Sequence, residues 1–389
     1  MISFISNGGG VSLPVTDERD MKERVKKLVS PEIASLVPYP PGKPIEEVER
    51  ELGIEGSIKL ASNENPLGPS PKAVAALAGG IANLHRYPDG SGYYLKQRLA
   101  RHLGVEPEMI LLGNGSNEII EFVIRTFVSP GDEVVMAQPS FAVYPIVVKA
   151  TRGSAVEVPL KGLTHDLDAM LAAVTEKTKV LFVANPNNPT GTVVKGEALD
   201  RLIKGVPDGV VVVIDEAYRE YVTGDGFPDS LAYVRGGKLV VVLRTFSKIY
   251  GLAGLRVGYG IADREVVSYL ERVRQPFNVN SLAQVAALAA LDDSEHLEKS
   301  RENNRQGMEF LFKEIGALGM ECVPSEANFF LVQVGRGREV YEGLLRKGVI
   351  VRPMESYGLP DYIRVTVGLP EENRRFLETF KAVMGELGG

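Results

Sequence analysis

Short runs of apolar, mostly branched residues recur through the middle of this chain, and helix-length segments separate them. Glu133–Ala137, Ala155–Val158, Lys179–Ala184, Val210–Ile214 and Leu239–Leu243 read as strands. Phe141–Ala150, Asp166–Val174 and Glu197–Ile203 read as helices between them, and Ser116–Phe127 as a helix before them. Buried strands joined by helical crossovers pair mostly in parallel and are covered on both faces. The expectation is an α/β fold whose large domain holds a mostly parallel sheet covered by helices.

The pattern changes on either side. After about Phe277, an Ala/Leu-rich helix (Ser281–Leu291) and a long charged helix (Leu297–Ile315) precede short strands at Asn328–Val334, Val349–Arg352 and Tyr362–Val367. This reads as a smaller α+β domain over 277–389. Toward the N-terminus, the first twenty residues include Gly8-Gly9-Gly10 and read as a flexible tail, and Met21–Leu36 reads as a short helix interrupted at Pro31. Pro38, Pro40, Pro41 and Pro44 forbid regular structure, because proline lacks an N–H and restricts the residue before it. The expected organisation is a tail and short helix (1–36), an arm joining the small domain (37–65), a large ligand-binding domain (66–276) and the small C-terminal domain (277–389).

Composition narrows the function. The 44 Lys and Arg against 50 Asp and Glu leave a net charge of −6, with no long basic run. Nucleic acid and anionic membrane surfaces, which demand clustered cations, are not the expected partners. A single cysteine forms no intrachain disulfide, and four histidines scattered along the chain have no metal-ligand spacing, so no metal is expected. Met1–Gly10 lacks the basic start and apolar stretch of a signal peptide, and no uncharged run is long enough to span a bilayer. A cytoplasmic location is the expectation.

In open parallel sheets, ligands sit beyond the carboxyl ends of the strands. Three strands here end in polar residues: Asn185–Gly191 after the first, Asp215-Glu216-Ala217-Tyr218 after the second, Arg244-Thr245-Phe246-Ser247-Lys248 after the third. Taken singly, each has a plainer reading: Asn188 before Pro189 as a turn residue, Asp215 as a cap, Lys248 as a surface amine. Gly113-Asn114-Gly115-Ser116 looks in part like a dinucleotide loop, but the third glycine is missing.

The joint order of motifs is far more specific. Val37-Pro38-Tyr39, Ala61-Ser62-Asn63-Glu64-Asn65-Pro66, Arg86-Tyr87-Pro88-Asp89, Gly113–Glu118, Asn187–Gly191, Asp215–Tyr218, Thr245–Lys248 and Leu255–Gly258 together resemble the fold-type I aminotransferases that use pyridoxal 5′-phosphate. Among these the chain is most similar to the histidinol-phosphate aminotransferases, from about Val37 to the C-terminus. The resemblance implies that Lys248 is the amine joined to the cofactor's aldehyde and the base at the substrate Cα. It implies that Asp215 keeps the pyridine nitrogen protonated and that Asn188 and Tyr218 hold the 3′-oxygen. It gives the phosphate to Gly115, Ser116, Asn117, Thr245, Ser247 and Arg256, with helix N-terminal amides contributing. Phe141 takes the stacking position, where many relatives carry tyrosine. Tyr87 would cross to a second copy's cofactor phosphate, making a homodimer with shared sites.

Arg364 and Arg352 match the family's arginines for the anionic parts of the substrates, and Tyr39 an arm tyrosine near the substrate phosphate. The implied reaction interconverts L-histidinol phosphate and 2-oxoglutarate with imidazole-acetol phosphate and L-glutamate. An aromatic amino-acid aminotransferase and a threonine-phosphate decarboxylase are the alternatives on the same scaffold. A sensing regulator of this fold would carry a DNA-binding module, and the N-terminal segment is too short and insufficiently basic for one.

Overall fold

Residues 18–40 and 42–388 are described by the computed structural model. Twelve strands lie among them: β1 (Ile58–Lys59), β2 (Ile110–Gly113), β3 (Glu133–Gln138), β4 (Ser154–Pro159), β5 (Thr178–Ala184), β6 (Val211–Asp215), β7 (Val240–Thr245), β8 (Gly258–Ile261), β9 (Phe329–Gln333), β10 (Val349–Ile350), β11 (Arg352–Pro353) and β12 (Tyr362–Thr366). Seven form one sheet in the order β2-β8-β7-β6-β5-β3-β4. The run from β7 to β4 is parallel, and β8 is antiparallel to both its neighbours.

The valine runs explain this sheet. Side chains alternate between faces along a strand, so Leu181, Val183, Val212, Ile214 and Val242 enter one core while Val180, Phe182, Val211, Val213 and Val241 enter the other. Helices cover both faces, leaving ligands only the strand ends. Register sets those ends in a row: Ala184 pairs with Asp215, Asp215 with Leu243, and Gly258 with both Thr245 and Gly113.

A three-stranded antiparallel sheet, β11-β12-β9, carries the second set of site residues. Ile363 and Val365 alternate into a core with Phe330 and Val332 beneath the helices Ser294–Gly316, Gly337–Arg346 and Pro370–Gly388. Arg364 therefore faces the other side, directly opposite Arg352. The strand expected over Val349–Arg352 is divided in two. β10 pairs in parallel with β1 and β11 with β12, the chain changing partner at buried Val351. Cys322 is half-buried at this sheet's margin, forming a β-bridge to Val332 and packing against the same core.

The described residues fall into two compact units, one ending at Pro38 and the other beginning at Tyr39. The first holds helices Glu18–Leu28 and Pro31–Ala34, with Pro31 at the start of the second, where its missing N–H costs nothing. The tail expected over the first twenty residues lies outside the described residues except for 18–20, which open the first helix. No helix among the described residues is long and apolar enough to cross a membrane.

Candidate active site

The strand ends border a cavity of about 190 Å³, open to solvent. Lys248, three residues beyond β7, lines it with its Nζ 3.4 Å from the Ser62 carbonyl and 5.3 Å from the Tyr218 ring centre. Burial, reinforced by the Arg364 charge, lowers its pKa to about 8. A good fraction of the amine is thus neutral, and able to act as nucleophile or base, near physiological pH.

Asp215 ends β6 and is 6% exposed. Its Oδ2 accepts a hydrogen bond from Tyr144 Oη at 2.8 Å and its Oδ1 accepts from the Ala217 N–H at 3.2 Å. Burial lifts its pKa to about 6, against the effect of those two donors. The next residue, Glu216, is fully buried and pairs with Arg244 (Nη2–Oε2 2.8 Å). Such a pair gains little net stability over apolar packing, but it fastens the end of β6 to β7 just before Thr245.

Gly115, Ser116 and Asn117 line the cavity where the helix Ser116–Phe127 begins. Gly115 has φ +77°, and a Cβ there would stand 2.6 Å from Arg256 Nη2. Gly258 lets this loop lie against β8, since its Cβ would meet the Ser116 nitrogen at 2.5 Å. Thr245 Oγ1 accepts from the Ser247 N–H at 3.1 Å, and Arg256 Nη1 reaches Ser247 Oγ at 3.4 Å. Phe141, edge-on to Tyr144 with centroids 5.6 Å apart, adds an aromatic wall.

Tyr39, Arg352 and Arg364 also line the cavity. Arg364 donates to Asn188 Oδ1 at 2.6 Å and to the Ala61 carbonyl at 2.8 Å, while its buried Nε has no partner. Arg352 donates to the Pro40 carbonyl at 2.8 Å, its guanidinium carbon 5.3 Å from the Tyr39 ring centre. Tyr218 Oη lies 2.9 Å from Asn63 Nδ2 and 3.5 Å from Asn188 Nδ2. Tyr87 lies elsewhere: it is 82% exposed, stacked on Phe277 with centroids 4.9 Å apart, and lines no part of its own chain's cavity. No group of three or more His, Cys, Asp or Glu among the described residues is placed to hold a metal.

These residues fit the cofactor that the sequence resemblance implies. A planar ring finds an aromatic wall in Phe141, and a protonated ring nitrogen would draw Asp215 back to its ionised form. A phosphate finds Arg256 and helix-start amides. Sequence reasoning gave no role to Tyr144, nor to Asn63 within its Ala61–Pro66 motif. Their partners lie 71 and 155 residues away, and no local pattern announces such contacts.

The family model that matches the chain is that of aminotransferases of class I and II, over residues 55–380. The histidinol-phosphate aminotransferase of Moorella thermoacetica is 53% identical, the match covering 90% of this chain and 92% of that protein. That of Akkermansia muciniphila is 50% identical, over 92% of this chain and 99% of that protein. Among solved structures, the histidinol-phosphate aminotransferase of Sinorhizobium meliloti in complex with pyridoxal 5′-phosphate superposes with a TM-score of 0.85 at 28% identity, covering 92% of this chain and 98% of that one. The chain belongs to the class I and II aminotransferases, and within them to the histidinol-phosphate aminotransferases.

Proposed function

We propose that this chain is a pyridoxal-phosphate-dependent aminotransferase interconverting L-histidinol phosphate and 2-oxoglutarate with imidazole-acetol phosphate and L-glutamate. One observation carries the reading. A single cavity joins a lysine of lowered pKa and a buried aspartate to three arginines, two on the three-stranded sheet and one just before β8, none with a carboxylate partner among the described residues. One anion site suits a cofactor phosphate, and two arginines suit substrates that present a phosphate in one half-reaction and carboxylates in the other.

When bound, pyridoxal phosphate supplies an aldehyde that accepts the amino group and a ring that draws electrons from the substrate Cα. The protein's residues do the rest. Lys248 would hold the aldehyde carbon, and its amine, when neutral, would carry the proton at the substrate Cα. Asp215 would hold the proton on the ring nitrogen. Asn188 and Tyr218 would donate toward the 3′-oxygen. Gly115, Ser116, Asn117, Thr245, Ser247 and Arg256 would hold the phosphate, and Phe141 would cover the ring. Arg364 serves both substrates, while Arg352 and Tyr39 serve the phosphorylated one.

The same reading includes a homodimer in the cytoplasm, each subunit's Tyr87 reaching its neighbour's cofactor phosphate. Exposure of this tyrosine outside its own cavity supports it. It also keeps a cofactor-binding part over 66–276 and a smaller part over 277–389. The seven-stranded sheet lies within the former and the three-stranded sheet within the latter.

The test is acceptor-dependent turnover. Cofactor-loaded protein given L-histidinol phosphate and 2-oxoglutarate is expected to form glutamate, to stop when 2-oxoglutarate is omitted, and to run far more slowly with phenylalanine. Faster turnover of phenylalanine would replace the reading with an aromatic aminotransferase. Carbon dioxide release from threonine phosphate without an acceptor would replace it with a decarboxylase.

A further inference from the structure

Tyr218 has one hydroxyl proton, and its surroundings dictate where that proton points. Arginine can only donate. Arg364 Nη1 donates to Asn188 Oδ1, so the amide nitrogen of Asn188 is the end turned toward Tyr218. On the other side, Thr366 Oγ1 accepts the Asn63 backbone N–H at 3.0 Å, and its own proton has no acceptor among the described residues but Asn63 Oδ1 at 3.1 Å. The Asn63 amide nitrogen is thereby left facing Tyr218 at 2.9 Å. Two amide donors thus flank the phenol oxygen, which accepts from both, Asn63 being the closer. Its proton has one direction left, into the cavity that Tyr218 lines.

Asn63 is built for this task rather than for packing. It is 1% exposed, and its backbone sits at φ +56°, a region costly for most residues but tolerated by asparagine. The Asn328 side chain donates to its carbonyl at 3.1 Å. Every polar atom of Asn63 is therefore engaged, and the engagement runs from β12 through Asn63 to Tyr218.

We infer that Asn63 is a positioning residue that commits the Tyr218 hydroxyl to donating into the cavity, where it stabilises a developing or resident oxyanion of the bound ring. The inference rests on the assignment of Tyr218 to the cofactor's 3′-oxygen. A phenol fixed as donor favours the ionised form of that oxygen. Freed from Asn63, the same phenol can turn away. Replaced opposite by a carboxylate, it is drawn to donate there instead.

The experiment is a spectrophotometric pH titration of the cofactor-loaded protein, following the visible band that reports ionisation of the 3′-oxygen. Tyr218→Phe is expected to raise the midpoint by about one pH unit or more. Asn63→Gly, which keeps the backbone conformation and removes the donor, is expected to raise it in the same direction, and Asn63→Asp to raise it at least as far. Asn63→Gly combined with Tyr218→Phe is expected to titrate like Tyr218→Phe alone, since the amide acts only through the phenol. An Asn63→Gly protein that melts at lower temperature but titrates like the wild type has lost packing alone, and would overturn the inference; fully additive shifts would do the same. If Tyr218→Phe itself titrates like the wild type, the assignment of Tyr218 fails and takes this inference with it. A shifted Tyr218→Phe beside unshifted Asn63 variants sinks the inference only.

Discussion

Tyr144 donates its phenolic proton to Asp215 across 2.8 Å, and its ring stacks on Phe182 of β5 with centroids 4.3 Å apart. The carboxylate at the end of β6 is thereby aimed by a residue anchored to the neighbouring strand. With only this bond and the Ala217 amide, Asp215 is under-solvated, and burial keeps its pKa near 6. The site is arranged to welcome a cation at Asp215.

That arrangement costs the cofactor-free protein stability, with a definite sign. The folded carboxyl (about 6) binds its proton more tightly than the unfolded one (3.8). Its contribution to stability is full below the unfolded value and is lost as pH rises through the folded one. At neutral pH the charged group costs about 3 kcal/mol. Asp215→Asn is expected to make the cofactor-free protein more resistant to urea than the wild type at about pH 7.5, with the difference fading toward about pH 4. The same variant, loaded, is expected to lose most of its turnover while retaining cofactor. Urea midpoints that differ by the same amount at both pH values would contradict the account.

Borohydride reduction of the loaded protein followed by peptide mapping is expected to place the pyridoxyl group on Lys248. Its lowered pKa and its place on the cavity wall single it out. Lys248→Ala is expected to bind cofactor reversibly and to show no transamination. A label on any other lysine contradicts the assignment.

The large sheet was legible because valine and isoleucine crowd β5, β6 and β7, and the site because polar residues follow each of their ends. Less was legible where local sequence misleads. β8 reads Gly258-Tyr259-Gly260-Ile261, glycine-rich enough to pass for a turn, yet Gly258 is required by the backbone packed against it. β1 is two residues long and exists only because β10 pairs with it. The helices Tyr93–Leu103 and Arg264–Val273 lay between the motifs and escaped the reading. Tyr144 and Asn63 reach the site through contacts that only the tertiary fold creates.

Arg352 and Arg364 are expected to separate the two half-reactions. Arg364 is held from two sides, by Asn188 and Ala61, whereas Arg352 is tied to the arm at Pro40. Arg364→Ala is expected to weaken both substrates, and Arg352→Ala the phosphorylated substrate more than glutamate. Each loss is on the order of 2–5 kcal/mol, much of it from leaving an anion unpaired. Steady-state kcat/KM for each substrate checks this, and equal losses from Arg352→Ala would contradict it.

Tyr87 supports a complementation test. Tyr87→Phe and Lys248→Ala proteins, each impaired, are mixed, unfolded and reassembled. If sites are shared across a two-fold axis, a hybrid dimer holds one intact site and one doubly impaired site. Activity is expected to rise above either parent. No rise, with hybrids detected by native mass measurement, would mean that Tyr87 serves its own subunit.

The central claim is that one cavity exchanges an amino group with a phosphorylated imidazole substrate and with glutamate. Single-turnover mixing tests it most directly. The aldehyde form of the loaded protein is mixed separately with L-histidinol phosphate, L-glutamate, phenylalanine and threonine phosphate, and conversion to the amine form is followed by absorbance. Rapid conversion by histidinol phosphate and by glutamate, with phenylalanine far slower and threonine phosphate releasing no carbon dioxide, is the predicted result. Conversion by phenylalanine faster than by histidinol phosphate would contradict it.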